Sequence, residues 1–560
     1  MIVAVASRGS TQWDISKTEA FAPQAMVATD QPSATEAALE VLREGGNAVD
    51  AAVTATFVMG VAEPALGGLG GGAVMVMRLP DGRETVIDGS PIAPRAARPD
   101  MFSLETGSDV KGMYAWPATV RDENNLGYRS VGVPGMLAAM SLALERYGTI
   151  DLRRALRPAI NLARHGVELD IEMMLTLNQY AERLWMFPAS KRIYYKDGGL
   201  PFHPPTALEG GGERLQQPDL ARSLELVGEK GVNAFYRGEL ASAIVEDVAR
   251  NGGILTLDDL SSYHAREVSA LVTQHGAHRV ATVPECGGGI TVVEMLNVLE
   301  ALGVSRIDRD TPLYFHLIAE AQRRAFIDRF QQLGDPALVD APYTRLASPE
   351  HARSVCSDIE GALAASVRIG GAAVDAPHTT HVCVVDPSRT CVSLTSTLGA
   401  AFGSAVVVEG TGILLSNVMT WFDPRPGRPA SIAGGKRVLW APAPTIVSRD
   451  GTPRLALGGA GGRRLISGVA QTLVNVIDHG DGPQAAVNGL RVHDEGAGTL
   501  VDARLPQPIQ DALLRMGRTV VPTEDTLATE PFGRVNAILI EAEGLRGGVS
   551  RLRPSVAAGF

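Results

Sequence analysis

Thr379 and Thr380 open a stretch in which two β-branched runs, residues 379–385 and 390–398, flank Asp386-Pro387-Ser388. Turn residues between two such runs predict a β-hairpin with the threonine pair at the start of its first strand. Threonine in that position can act as a nucleophile once the chain is cut just before it. In such an arrangement the threonine hydroxyl would attack the preceding carbonyl, the resulting ester would hydrolyse, and the freed residue would carry both a hydroxyl and an α-amine. An α-amino group titrates near roughly 7.7 to 8, so one residue supplies nucleophile and base together. Upstream, residues 364–378 are mostly Ala, Gly, Ser and Val, a composition with little means of packing. Taken alone, a threonine pair is also an ordinary way to begin a strand.

A second candidate is the turn Gly458-Gly459-Ala460-Gly461-Gly462, between a strand-like run at 454–457 and a helical pattern at 463–477. Backbone N–H groups at a strand-to-helix turn favour anionic oxygen, although a helix start that needs small residues gives the same composition. The run Gly67-Gly68-Leu69-Gly70-Gly71-Gly72 invites a dinucleotide-binding reading. It follows a helical pattern and feeds a strand at 73–79, the reverse of the order that fingerprint requires.

The elements that must carry these residues are mixed. A strand near residue 25 leads to Ser33-Ala34-Thr35-Glu36, a predicted capping box, and Gly45-Gly46 stops that helix. Asn47 caps the next, residues 48–62, apolar nearly all round; its Asp50 and short length predict a core helix rather than a membrane span. Further helical periodicity covers 134–166, 218–263, 290–302 and 317–333, and strand-like runs fall at 405–409, 413–416 and 445–448.

With 560 residues and 45% hydrophobic content the chain can bury a large core. A net charge of -11 argues against nucleic acid or an anionic membrane as partner. Residues 1–21 carry Arg8, Asp14, Lys17 and Glu19 and lack an apolar run of signal-peptide length, which predicts a cytoplasmic protein. Cys286, Cys356, Cys383 and Cys391 show no metal-ligand spacing and are too few for a disulfide framework.

Thr379-Thr380-His381, Thr397 on the return strand, Gly412 to Asn417, Pro444 to Val447 and Gly458 to Arg464 together resemble the γ-glutamyltranspeptidase family over nearly the whole chain. The resemblance implies an α+β fold, the four-layer αββα sandwich of N-terminal-nucleophile hydrolases. It implies self-cleavage between His378 and Thr379 into segments 1–378 and 379–560, which stay together as a heterodimer forming one αββα unit. Thr379 would be the nucleophile, Thr397 would orient it, and the amides of Gly461 and Gly462 would form the oxyanion hole. No metal or organic cofactor is needed for that chemistry.

The substrate-reading positions depart from the family. Ser90 stands where the family has the arginine that holds the donor α-carboxylate, and Trp440-Ala441 replace its pair of serines. Gly399, Val418 and Trp421 replace the asparagine, glutamine and aspartate that hold the α-amino group. Each charge-assisted hydrogen bond lost this way is worth roughly 1.5 to 3 kcal/mol, so a γ-glutamyl donor is disfavoured. The two tryptophans point to a flat or apolar group, or simply fill vacated space. Arg463, where the family commonly has serine, could meet a carboxylate or be a solvated helix-start residue. The leading expectation is a threonine hydrolase that removes a non-glutamyl acyl group from a small molecule. Carbon–carbon cleavage of an acyl side chain, as in relatives recruited to lincomycin-type and pyrrolobenzodiazepine antibiotic pathways, is an alternative. True γ-glutamyl transfer and an unprocessed binding protein are the others.

Overall fold

The computed structural model describes residues 16–105, 116–203, 212–361, 378–526 and 531–560. The upstream arm expected at 364–378 lies, except for His378, outside the described residues, as does most of the N-terminal stretch 1–21.

Two seven-stranded sheets face one another. The first, the threonine sheet, runs in the order Val556–Gly559, Met26–Thr29, His378–Val385, Cys391–Gly399, Gly72–Arg78, Glu84–Gly89 and Arg266–Ser269. The facing sheet runs Ala20–Ala22, Leu545–Gly548, Arg534–Ile540, Thr452–Ala460, Thr445–Arg449, His278–Thr282 and Leu271–His275. Neighbours in both are antiparallel.

Helices Pro32–Arg43, Ala48–Ala62 and Met136–Tyr147 cover the outer side of the threonine sheet, and Gly289–Ala301, Arg464–Ile477 and Pro483–Asn488 cover the facing sheet. The result is the four-layer αββα sandwich. Residue alternation along the strands explains the layering. Val382 and Val384 pack with the helices behind the threonine sheet, while Cys383 and Val385 join the core between the sheets.

Asn47 caps Ala48–Ala62 with a full capping box closed by Asp50, and all but one of that helix's fifteen residues are buried. The preceding helix differs from expectation. It starts at Pro32, and its cap is Gln31, whose side chain accepts from the Ser33 amide; proline at the first turn moves the start ahead of the predicted Ser33 box. The runs at 405–409 and 413–416 do not form strands. They meet at a single bridge, Val407 with Leu414, because Thr411 and the left-handed Gly410 and Gly412 fold them into a tight turn. No helix among the described residues is long and apolar enough to cross a membrane.

Candidate active site

The threonine strand His378–Val385 is central in its sheet, held on one side by Cys391–Gly399 and on the other by Met26–Thr29. Its pairing slips between His378 and Thr380, so Thr379 stands at a β-bulge, a device that re-aims a side chain at the end of a ladder. On the return strand, alternation directs Ser393, Thr395 and Thr397 to one face, toward the second sheet. Ser393 donates to the carbonyl of Leu457 there, and Thr395 meets His381 Nδ1 at 2.9 Å. Thr397 therefore faces Thr379, with their Oγ1 atoms 3.4 Å apart. Thr379 donates across that gap, and the Thr397 oxygen also accepts from the Gly399 amide at 2.9 Å. Both threonines are buried.

The glycine run serves close approach of backbone. A Cβ on Gly71 would sit 2.4 Å from the carbonyl oxygen of Thr397, and one on Gly70 would sit 2.1 Å from that of Leu414. Gly67 lies against Thr380 and Ser396. This run is the floor on which the threonine hairpin rests.

His381 is enclosed by Thr395, Cys383 and Ser393, and burial pushes its imidazole down to about 3. It stays neutral and is a poor base. Thr380 reaches Glu63 at 3.1 Å and the sulfur of Met59 at 3.0 Å. Thr380 is the donor to Glu63, and burial, with Asp30 beside it, raises the Glu63 carboxyl well above its ordinary value.

A buried charge network lies beneath Thr379, and the sequence pattern did not point to it. Arg534 donates to the carbonyl of Thr379 at 3.2 Å and pairs with Glu172 at 3.2 Å; its Nε is 4.0 Å from Asp30. Arg553 reaches Glu172 at 2.8 Å. Asp30 accepts from the His381 amide and from Asn536, which also donates to the His381 carbonyl. The residues come from five separate parts of the chain, and the only local signal is a charge at the end of an apolar strand, as at Asp30 and Arg534.

Gly461 and Gly462 follow the strand Thr452–Ala460, and both are in the left-handed region, φ +115° and +58°. A Cβ on Gly461 would meet the Cα of Gly533 at 2.7 Å, so only glycine fits. The preceding residue, Ala460, pairs across the sheet with Arg534, whose guanidinium touches Thr379. This brings the glycine turn to the nucleophile's end of the sandwich.

Of the substrate-reading positions, Gly399, Val418 and Trp421 meet beside the return strand. Gly399 has φ +103°, and a Cβ there would lie 2.1 Å from Asn417 Oδ1 and 3.2 Å from Trp421 Nε1. Asn417 is fixed by the Ala400 amide, to which it is bonded at 3.0 Å, and by Asn125. Val418 packs directly on Gly132. Ser90 is spent on Asp88, which accepts from its amide and hydroxyl and binds Arg266 at 2.6 Å; Arg437 is 3.7 Å away. Pro91 abuts Gly72, the cross-strand partner of Thr397, and its carbonyl accepts from Val438, so Ser90 and the 438–441 segment border the same region. Trp440 is fully buried, with its carbonyl held by Arg329 at 2.6 Å, and Ala441 is buried beside it. Arg463 makes a two-pronged pair with Glu495, at 2.9 and 2.8 Å, over the ring of Phe330. Its charge is engaged within the protein.

Comparison with known proteins agrees with this architecture. The family model described as gamma-glutamyltranspeptidase matches residues 34–560. The chain is 33% identical over 545 residues to the glutathione hydrolase proenzyme of Pseudomonas sp. (strain A14), covering 94% of this chain and 90% of that one. It is 35% identical over 536 residues to the Acylase ACY 1 proenzyme of Pseudomonas sp. (strain SE83), covering 95% and 93%. The crystal structure of cephalosporin acylase from Bacillus halodurans superposes with a TM-score of 0.85 at 26% identity, over 99% of both chains.

Proposed function

This chain belongs to the γ-glutamyltranspeptidase family of N-terminal-nucleophile hydrolases, and we propose that within it the protein is a self-processing acylase whose donor is not a γ-glutamyl group. In the uncut chain Thr379 N is a peptide amide. Attack of its hydroxyl on the His378 carbonyl, followed by hydrolysis, frees the α-amine that then deprotonates Thr379 Oγ1 in turnover. The hydroxyl adds to the acyl carbonyl of the substrate. Thr397 holds the attacking oxygen in place, and the Gly461 and Gly462 amides receive the oxyanion. Collapse expels the amine, which takes a proton from the ammonium, and water releases the acyl group by the same steps.

One observation carries the choice of donor. Asn417 and Trp421 fill the space that any side chain on Gly399 would need, so an amino-group ligand cannot be restored there without moving both. Ser90 is bonded to Asp88, which leaves no arginine at that position for an α-carboxylate. The resemblance to proteins described as acylases supports an amide whose acyl part lacks the zwitterionic head, such as a cephalosporin side chain.

The test uses purified wild-type protein after processing. Nitroaniline release from a γ-glutamyl anilide is expected to be slower than release of the amine nucleus from an acylated cephalosporin by about a hundredfold, the equivalent of roughly 2.7 kcal/mol. Rates in the opposite order would return the protein to γ-glutamyl transfer.

A further inference from the structure

Away from the threonines, Glu294, Asp328 and His351 converge from three helices, Gly289–Ala301, Pro312–Gln332 and Pro349–Gly361. One ligating atom from each lies within 4.8 Å of the others. His351 Nε2 is 3.2 Å from Glu294 Oε1 and 3.0 Å from Asp328 Oδ2. A single ring proton cannot make two good hydrogen bonds at once. Those separations are close to the ligand-to-ligand edge of a tetrahedron around an ion with bonds of about 2.0 to 2.2 Å.

A second observation is independent of this convergence. Glu294 is 1% exposed, and its other oxygen, Oε2, has no hydrogen-bond partner. A buried carboxylate oxygen left unpaired is costly, and a cation bound by both oxygens of Glu294 would satisfy Oε2 as well as Oε1. Asp328 keeps Oδ2 turned to the cluster because Gln332 donates to its Oδ1.

We propose that Glu294, Asp328 and His351 bind a divalent transition-metal ion of the zinc class, which ties the helix Pro349–Gly361 to the two helices beneath it. The site is structural. It lies in the layer behind the facing sheet and anchors the last described helix before the segment that leads to Thr379. One contact must change on loading. The exposed Arg345 faces His351 Nδ1 at 3.3 Å, and since arginine only donates, Nδ1 must be the acceptor there. Binding through Nε2 moves the ring proton to Nδ1 and turns Arg345 out to water.

Untagged full-length protein would be stripped with a chelator, dialysed against Zn2+ and then against buffer, and its metal content measured by mass spectrometry. Co2+ would be added to a second stripped sample and its visible absorption recorded. The expected result is one zinc retained per chain and Co2+ bands of low-symmetry coordination, with Glu294→Gln and His351→Gln each weakening zinc binding by more than about tenfold. Retention of no zinc and absence of Co2+ bands in the wild type would overturn the proposal, and this outcome does not depend on either variant folding. Wild-type affinity in both variants would overturn it as well. Neither result depends on the identity of the acyl donor.

Discussion

At the scale of single residues, the proposed mechanism rests on Thr379 as nucleophile and on Thr397 as its positioning partner. Thr379→Ala is expected to run as one chain on a denaturing gel, where the wild type is expected to give fragments of 378 and 182 residues. A wild type that is active while uncut would remove Thr379 from the mechanism. Thr397→Ala removes the 3.4 Å contact to the nucleophile and orphans the Gly399 amide. The expected loss is roughly 1 to 3 kcal/mol, read as a fall in kcat of the processed enzyme, and unchanged kinetics would remove Thr397 from the site. His381 gives a pH prediction. Its folded value of about 3 lies below the roughly 6.5 of an unfolded histidine, so the unfolded chain takes the proton first. Its contribution to stability is intact above about pH 6.5 and is lost, by roughly 1.4 kcal/mol per pH unit, as pH falls toward 3. Between pH 7 and 5, urea midpoints of the wild type should therefore drop further than those of His381→Gln. Equal drops would show that the imidazole is not held neutral.

The elements that hold these residues were legible to different degrees. Alternation along 379–385 and 390–398 places Thr380 against the helices and His381, Thr395 and Thr397 against the second sheet, and the hairpin could be read from its β-branched runs and turn. The bulge at Thr379 could not, because it depends on how His378 pairs with Gly399 across the ladder. Nor could the partners of Arg534, since Asp30, Glu172 and Thr379 are brought to it only by sheet order. The glycine run could not be read as a floor for the hairpin, because Thr380, Thr397 and Leu414, which Gly67, Gly71 and Gly70 approach, lie more than three hundred positions away. That floor can be tested. In Gly71→Ala the added methyl would meet the Thr397 carbonyl at 2.4 Å, so the return strand must shift. The expected cost is roughly 1 to 3 kcal/mol in denaturant midpoint, with slower self-cleavage on the gel. Normal stability together with normal processing would mean that the hairpin does not rest on this run.

At the scale of the whole molecule, the cut before Thr379 would fall inside a sheet interleaved from both segments. Met26–Thr29 lies between His378–Val385 and Val556–Gly559, and Gly72–Arg78 pairs with Cys391–Gly399. In the facing sheet, Ala20–Ala22 pairs with Leu545–Gly548, and His278–Thr282 pairs with Thr445–Arg449. Separating the two segments would therefore break ladders in both sheets and expose the core between them. A cut between His378 and Thr379 removes none of these pairings, so cleavage should leave the packing unchanged. The processed protein is expected to elute in native size exclusion as a single species carrying both fragments, and to unfold in one cooperative transition by calorimetry and by fluorescence alike. Release of the 182-residue fragment under native conditions, or two separate transitions, would show that the segments are independent units joined only by the uncut chain.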